Sequence, residues 1–205
     1  MLAIFKEAAR SVGGLRRENP ALFVVIGCTT LCALFATSLI RFILPASVME
    51  CFGSEAAVGY VFALLALGTV VGGLLYVKFN KDTAARSVVN YWVVYGVIFL
   101  MAAIAIEYNT YVFLALLFCA GFFGAFVDIA IVTNIQCLSR PQEVGRVFSI
   151  YYFTAVIGDA VSGLVASIMF LIVGPATFIG MASMLCLAPL GWRLGGGVDS
   201  KAESM

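Results

Sequence analysis

The sequence predicts an all-α membrane protein with six transmembrane helices. Of its 205 residues 63% are hydrophobic and 11% charged, whereas soluble domains carry about 25% charge. The charges gather in short islands, separated by apolar runs of about 20 residues, the length at which a helix crosses a bilayer. The basic residues fall in alternate islands, as they do when a chain passes back and forth through a membrane.

Residues 1–19 form the first segment. Leu2, Phe5, Ala9 and Val12 recur at helical spacing, with Lys6, Glu7 and Arg10 opposite them. This predicts an amphipathic helix lying on the membrane surface and stopped at Gly13 and Gly14. No apolar core directly follows the first charges, so cleavage as a signal peptide is not expected.

Six spans follow within residues 20–192, at about 20–44, 57–77, 87–106, 111–134, 147–171 and 175–192. Pro45 is expected to end the first, and the Gly174-Pro175 pair to make the turn before the last. Each must be helical, because lipid offers no partner to an unpaired backbone group. Joints are short, so successive helices should run antiparallel. Residues 193–205 form a polar tail.

Orientation follows from Lys and Arg. Eleven of the 12 basic residues lie in the amino-terminal segment, the second joint, the fourth joint and the tail. The other joints carry only Glu50, Glu55 and Glu107. Both termini are therefore expected in the cytoplasm, together with the island holding Arg140, Pro141, Glu143, Gly145 and Arg146. Charge islands of this kind serve as topology anchors, and an Arg146–Glu143 pair could also latch an inner gate.

Membrane helices associate through small residues that let backbones approach. Gly68 and Gly72, Gly121 and Gly124, and Gly158 and Gly163 place such faces on the second, fourth and fifth helices. Both static packing and sliding between helices fit these faces.

Three ionisable residues fall inside spans, where each costs about 2.5–3.5 kcal/mol at a helix centre and so tends to be paired or functional. Arg41 sits towards the outer end of the first helix, placed to snorkel to the interface or to pair. Asp128 sits in the inner third of the fourth. Asp159 sits near the middle of the fifth, among small residues. Three readings of Asp159 stand: a proton-carrying carboxylate, an ion pair with Arg41, and a hydrogen bond between helices. Asn90 and Tyr95 on the third helix and Tyr152 on the fifth could line the same cavity, although aromatics in spans more often pack.

Several chemistries are excluded. His is absent, and the net charge is +1 with no basic patch, so Ser-His catalysis, His-zinc sites and nucleic-acid binding fall away. Cys28 and Cys32 share a helix face without further ligands, which reads as packing rather than a metal site. No catalytic residue, metal or cofactor is expected. Asp128 and Asp159 lie at different depths, which disfavours a paired-carboxylate intramembrane enzyme.

The order of these features resembles the carboxy-terminal half of the major facilitator superfamily. N-I-Q-C-L-S-R-P-Q-E-V-G-R-V-F-S-I (134–150) is similar to the loop between helices ten and eleven of its drug-efflux members. I-G-D-A-V-S-G-L-V-A-S (157–167) resembles the glycine-rich eleventh helix, and residues 44–60 the join between helices seven and eight. Gly68, Gly72 and Gly73 with Asp82 and Arg86 resemble a degraded copy of the cytoplasmic Gly-Asp-Arg motif, and residues 1–19 the linker between halves. Within the superfamily the macrolide-efflux and siderophore-export branch looks closest. Asp159 departs from the pattern, which has a small residue or Pro there.

The resemblance implies alternating access between two halves. Residues 20–106 and 111–192 would be inverted three-helix repeats. The chain would export a small organic molecule in exchange for protons across a bacterial inner (plasma) membrane. One half cannot wall a cavity alone, so the chain would be a truncated gene product, a half that pairs with a separately encoded half, or a homodimer. The rival from another class is a non-transporting assembly or regulatory protein acting through helix association.

Overall fold

The computed structural model describes residues 19–79 and 85–194. The amphipathic segment over residues 1–18, Lys81 and Asp82 of the second joint, and the tail beyond residue 194 lie outside the described residues.

Helix α1 spans Pro20–Ser38. Asn19 caps it, its side chain accepting from the Leu22 N–H, and Pro20 occupies the first turn where no N–H is needed. The helix does not stop at Pro45. A π-helical segment, Leu39–Ile43, carries it into α2, Leu44–Phe52. Proline lacks an N–H, and its ring collides with the carbonyl four residues back. The wider π turn, with the Leu44 N–H reaching back to the Leu39 carbonyl, relieves that collision just ahead of the ring. The stop comes at Gly53, whose φ of 62° closes a left-handed cap with its N–H on the Met49 carbonyl.

The remaining helices are α3 Glu55–Phe79, α4 Ala85–Tyr108, α5 Thr110–Leu138, α6 Val144–Val173 and α7 Thr177–Leu194. Asn109 alone joins α4 to α5, and its side chain accepts from the Tyr111 and Val112 N–H groups. Between α6 and α7 a 3₁₀ turn, Gly174–Ala176, follows Gly174, whose φ is 60°. Each expected span has its helix, usually extended by a few polar or interfacial residues.

Five stretches of the described chain are long and apolar enough to cross a membrane. They are Leu22–Phe52, Glu55–Tyr76, Ser87–Tyr108, Thr110–Leu138 and Val144–Gly191. The last has 48 residues and contains the turn at Gly174.

Two parallel pairs organise the packing. Helix α6 lies beside α1. The Thr30 hydroxyl donates to Thr154 Oγ1 at 3.0 Å, Gly158 faces Leu34, and the Ser38 hydroxyl donates to the Ser162 carbonyl at 2.8 Å. Residue i of α1 thus meets residue i + 124 of α6. Helix α3 lies beside α5 in the same sense: Gly68 meets Phe118, Gly72 meets Phe122, and the Tyr76 and Phe126 rings pack edge to face at 5.1 Å. Helix α4 packs against α5 and α7 and fills the centre with Trp92, Tyr95 and Phe99. The Asn19 side chain donates to the Leu138 carbonyl at 2.8 Å, which brings the start of α1 and the end of α5 to one level.

Candidate functional site: an ion pair and a free carboxylate at membrane depth

Asp159 lies in the middle of the 30-residue α6. By the α1–α6 register, Arg41 stands beside residue 165, six residues or about 9 Å beyond Asp159. Helical side chains lean towards the helix amino terminus, so the long Arg41 stem runs back along α1. Its Nη1 reaches Asp159 Oδ2 at 2.8 Å. Phe42 leans the same way, its ring against Gly163. The guanidinium is thus held at the midpoint of α6. Arg41 is turned towards Asp159, which supplies a charge partner of the kind lipid headgroups would otherwise provide.

The pair completes a polar seam. The Thr30–Thr154 link lies below it and the Ser38–Ser162 link just above, and the Ser162 hydroxyl also lies within bonding distance of the Asp159 carbonyl. Within this chain the pair is open to one side: the Arg41 side chain is 59% exposed and that of Asp159 39%. It is the only ion pair among the described residues. Of the three readings left open for Asp159, its contacts match the ion pair.

Asp128 is the second site. It lies ten residues from Leu138, so about 15 Å above the level where α1 and α5 meet. The helix runs to Leu138 rather than to residue 134, so ten of its 29 residues follow Asp128. Asp159 lies a further six residues, about 9 Å, up the stack, so the two carboxylates keep different depths. Asp128 is exposed, and among the described residues it has no side-chain hydrogen bond or ion pair. It stands within electrostatic range of the Tyr95 and Tyr151 hydroxyls.

The other sequence candidates divide. Tyr95 is buried between Trp92 and Phe99, with ring centroids 5.7 and 5.0 Å away, so it packs and does not line an open cavity. Asn90 falls on the outward stripe of α4 with Val94, Val97, Met101 and Ile104, and the structure brings it to neither carboxylate. Tyr152 is 59% exposed on α6, with its ring 5.3 Å from that of Tyr151. Tyr151 is a neighbour of Tyr152 that the sequence did not single out. Its spacing seven residues before Gly158, which meets Leu34, puts it towards the α1-facing side of α6, and that spacing is the signal that could have singled it out.

At the fourth joint the Arg140 carbonyl accepts from the Glu143 and Val144 N–H groups, which starts α6 at Val144. Gly145 and Arg146 therefore sit in its first turn, not in the loop. Arg140, Pro141, Gly145 and Arg146 are exposed, and no Glu143–Arg146 bridge closes a latch.

The glycine faces differ in what they do. A β-carbon on Gly68, Gly72 or Gly121 would run into the backbone of the opposing helix, so α3 and α5 touch main chain to main chain. The cost of any side chain there is steric and immediate. Gly124 meets only the Tyr95 ring, at 3.3 Å, and Gly158 meets Leu34 at 3.7 Å. The buried Cys28 and Cys32 sulfurs lie 3.9 Å apart. Among the described residues no group of three or more His, Cys, Asp or Glu could hold a metal ion.

A family model described as Major Facilitator Superfamily matches residues 26–203. No curated protein and no solved structure matches the chain.

Proposed function

From the premise that this chain belongs to the major facilitator superfamily, a family of transporters, we propose that it exports a small organic molecule by alternating access, driven by protons. The observation that carries the reading is the Arg41–Asp159 pair. A charge pair at membrane depth cannot stand against lipid without a penalty of several kcal/mol, yet this one is open on one side. That face belongs against a substrate cavity and a second six-helix unit.

The Gly174 turn would fold the 48-residue stretch into two crossings, giving six in all. Inverted repeats over residues 20–106 and 111–192 would exchange α1 with α5 and α3 with α6. The parallel α1–α6 and α3–α5 pairs are what that exchange requires. The basic islands support cytoplasmic termini, in keeping with a bacterial inner membrane. Export and the drug-efflux or siderophore branch rest on the likeness of residues 134–150 and 157–167. The second unit is a separately encoded half, another copy, or a preceding part of the same polypeptide.

In this reading Asp159 takes a proton when a movement of α6 against α1 parts it from Arg41. Proton-driven substrate flux into proteoliposomes, alone and with a candidate partner half, tests the proposal. Asp159→Asn should abolish the proton-driven component while membrane insertion and abundance stay intact. Full flux in that variant would remove Asp159 from the coupling step. Absence of flux in every combination would favour a regulatory or assembly protein.

A further inference from the structure

We propose that Ser38 is a positioning residue for the Arg41–Asp159 pair: the bond from its hydroxyl to the Ser162 carbonyl fixes the register of α6 on α1 at which the two charges meet. The inference rests on the transport reading and deepens it, since it names what holds the coupling pair closed.

Three observations lead to it. The first is where the bond lies. Arg41 comes three residues after Ser38, and Asp159 three residues before Ser162. The two charged residues therefore stand about 4.5 Å to either side of the link along the seam, and the Arg41 stem crosses it on the diagonal. Sliding of α6 along α1 changes that diagonal in full. A single Nη1–Oδ2 contact between flexible side chains does not define the register by itself. A bond between directly opposed residues does.

The second is what the bond grips. The Ser38 hydroxyl lies 2.7 Å from the Leu34 carbonyl of its own helix and 2.8 Å from the Ser162 carbonyl. A main-chain carbonyl cannot turn to follow a sliding partner. The Thr30–Thr154 link, eight residues or about 12 Å lower, joins two hydroxyls that can both rotate. Gly158 meets Leu34 in ordinary contact, and the Phe42 ring rests on Gly163. Neither contact has a direction along the seam.

The third is burial. Ser38 is 0% exposed and Ser162 1%, against 59% and 39% for the Arg41 and Asp159 side chains. A hydrogen bond away from water is electrostatically stronger than one in contact with it. The serine bond is thus the fixed point, and the ion pair is the part that can open. Ser162 also supplies an internal control. Its own hydroxyl donates to the Asp159 carbonyl within α6, so that side chain is buried like Ser38 but does not bridge the helices.

The test asks whether Ser38 changes the coupling between the two charges and not merely the stability. Equilibrium unfolding of the full chain by a denaturing detergent in mixed micelles is measured for wild type, Arg41→Leu, Asp159→Leu and the double variant. The same four proteins are then made on Ser38→Ala, Ser162→Ala and Thr30→Ala. In the wild-type background the charges should couple by a factor of about ten in the unfolding constant. On Ser38→Ala the coupling should fall to within about twofold of none, whereas on Ser162→Ala and Thr30→Ala it should stay within about twofold of the wild-type value. A second measurement needs no unfolding. Dicyclohexylcarbodiimide, an apolar reagent for carboxylic acids in membranes, should modify Asp159 at least about threefold faster in Ser38→Ala than in wild type or Ser162→Ala, because the pair is open for more of the time. Peptide mass assigns the modified residue.

An unchanged coupling or carbodiimide rate on Ser38→Ala, an equal loss of coupling on Ser162→Ala, or no coupling in the wild-type background would each overturn the proposal. In proteoliposomes Ser38→Ala should lower the turnover of proton-driven flux and leave the substrate KM unchanged. A chain that carries no flux but shows the expected couplings would sink the transport reading and leave this positioning role standing. Flux with normal turnover and unchanged coupling in Ser38→Ala would do the reverse.

Discussion

Arg41 and Asp159 are joined by one contact, Nη1 to Oδ2, not by a two-pronged fork. A single-pronged pair on an open face can part and re-form at modest cost, whereas a buried forked pair is locked. The two charges still depend on each other. Removing one strands its partner at the midpoint of α6, which costs more than removing both. We therefore expect Arg41→Leu or Asp159→Leu to lower stability by about 1 kcal/mol or more, and the double variant to recover most of that loss. Thermal unfolding of the four proteins in detergent closes the cycle; equal losses in single and double variants would mean the charges act independently. That Asp159 turns towards a neighbouring helix was legible in the sequence, because a carboxylate among Gly158, Ser162 and Gly163 is costly against lipid. Its partner was one of three open readings. The choice depended on a side-chain direction, the backward reach of Arg41, that spacing along the chain does not encode.

At the scale of helices, the α3–α5 crossing holds the tightest glycine contacts among the described residues. Gly68, Gly72 and Gly121 lie where an added β-carbon would overlap the opposite backbone, while Gly59 and Gly73 on the same α3 have open space. The expected contrast is sharp. Gly72→Ala and Gly121→Ala should each destabilise by about 1–3 kcal/mol, the range for overpacking a well-packed contact. Gly59→Ala and Gly73→Ala should be neutral or slightly stabilising through helix propensity. A thermal-shift series in detergent reads this directly, and equal effects at Gly72 and Gly73 would refute the register. The small-residue faces of α3 and α5 were visible in the sequence as Gly68-x-x-x-Gly72 and Gly121-x-x-Gly124. Which glycine meets backbone and which meets only a ring was not, since a repeat of small residues does not state the rotation of its helix. The end of the first helix was misplaced for a different reason. Pro45 is a reliable breaker of a regular α-helix, but the π segment Leu39–Ile43 changes the turn it must fit, and no residue in that segment advertises the change.

At the scale of the whole molecule, the parallel α1–α6 and α3–α5 pairs and the Asn19–Leu138 bond divide the helix ends into two sets. The starts of α1 and α4 and the ends of α3 and α5 share one end. The far end of α2, the start of α3 and the α4–α5 joint at Asn109 share the other. The five membrane-length apolar stretches of the described residues were readable because hydropathy and length decide them, and the alternation of basic islands gave an expectation of which helix ends share a level. Which set faces the cytoplasm is a question of charge, and two native cysteines make it measurable. Cys51 lies in the last turn of α2 and Cys137 in the last turn of α5; both are exposed free thiols at opposite ends. If the basic islands face the cytoplasm, a membrane-impermeant maleimide added to intact cells should label a variant retaining only Cys51 and spare one retaining only Cys137. After permeabilisation both should react. The reverse pattern would invert the topology, place the Arg140–Arg146 joint outside, and put Asp128 nearer the external face. Labelling of both thiols in intact cells would mean that the two ends do not lie on opposite faces, and would undo the parallel pairing on which the depth of each charge has been reckoned.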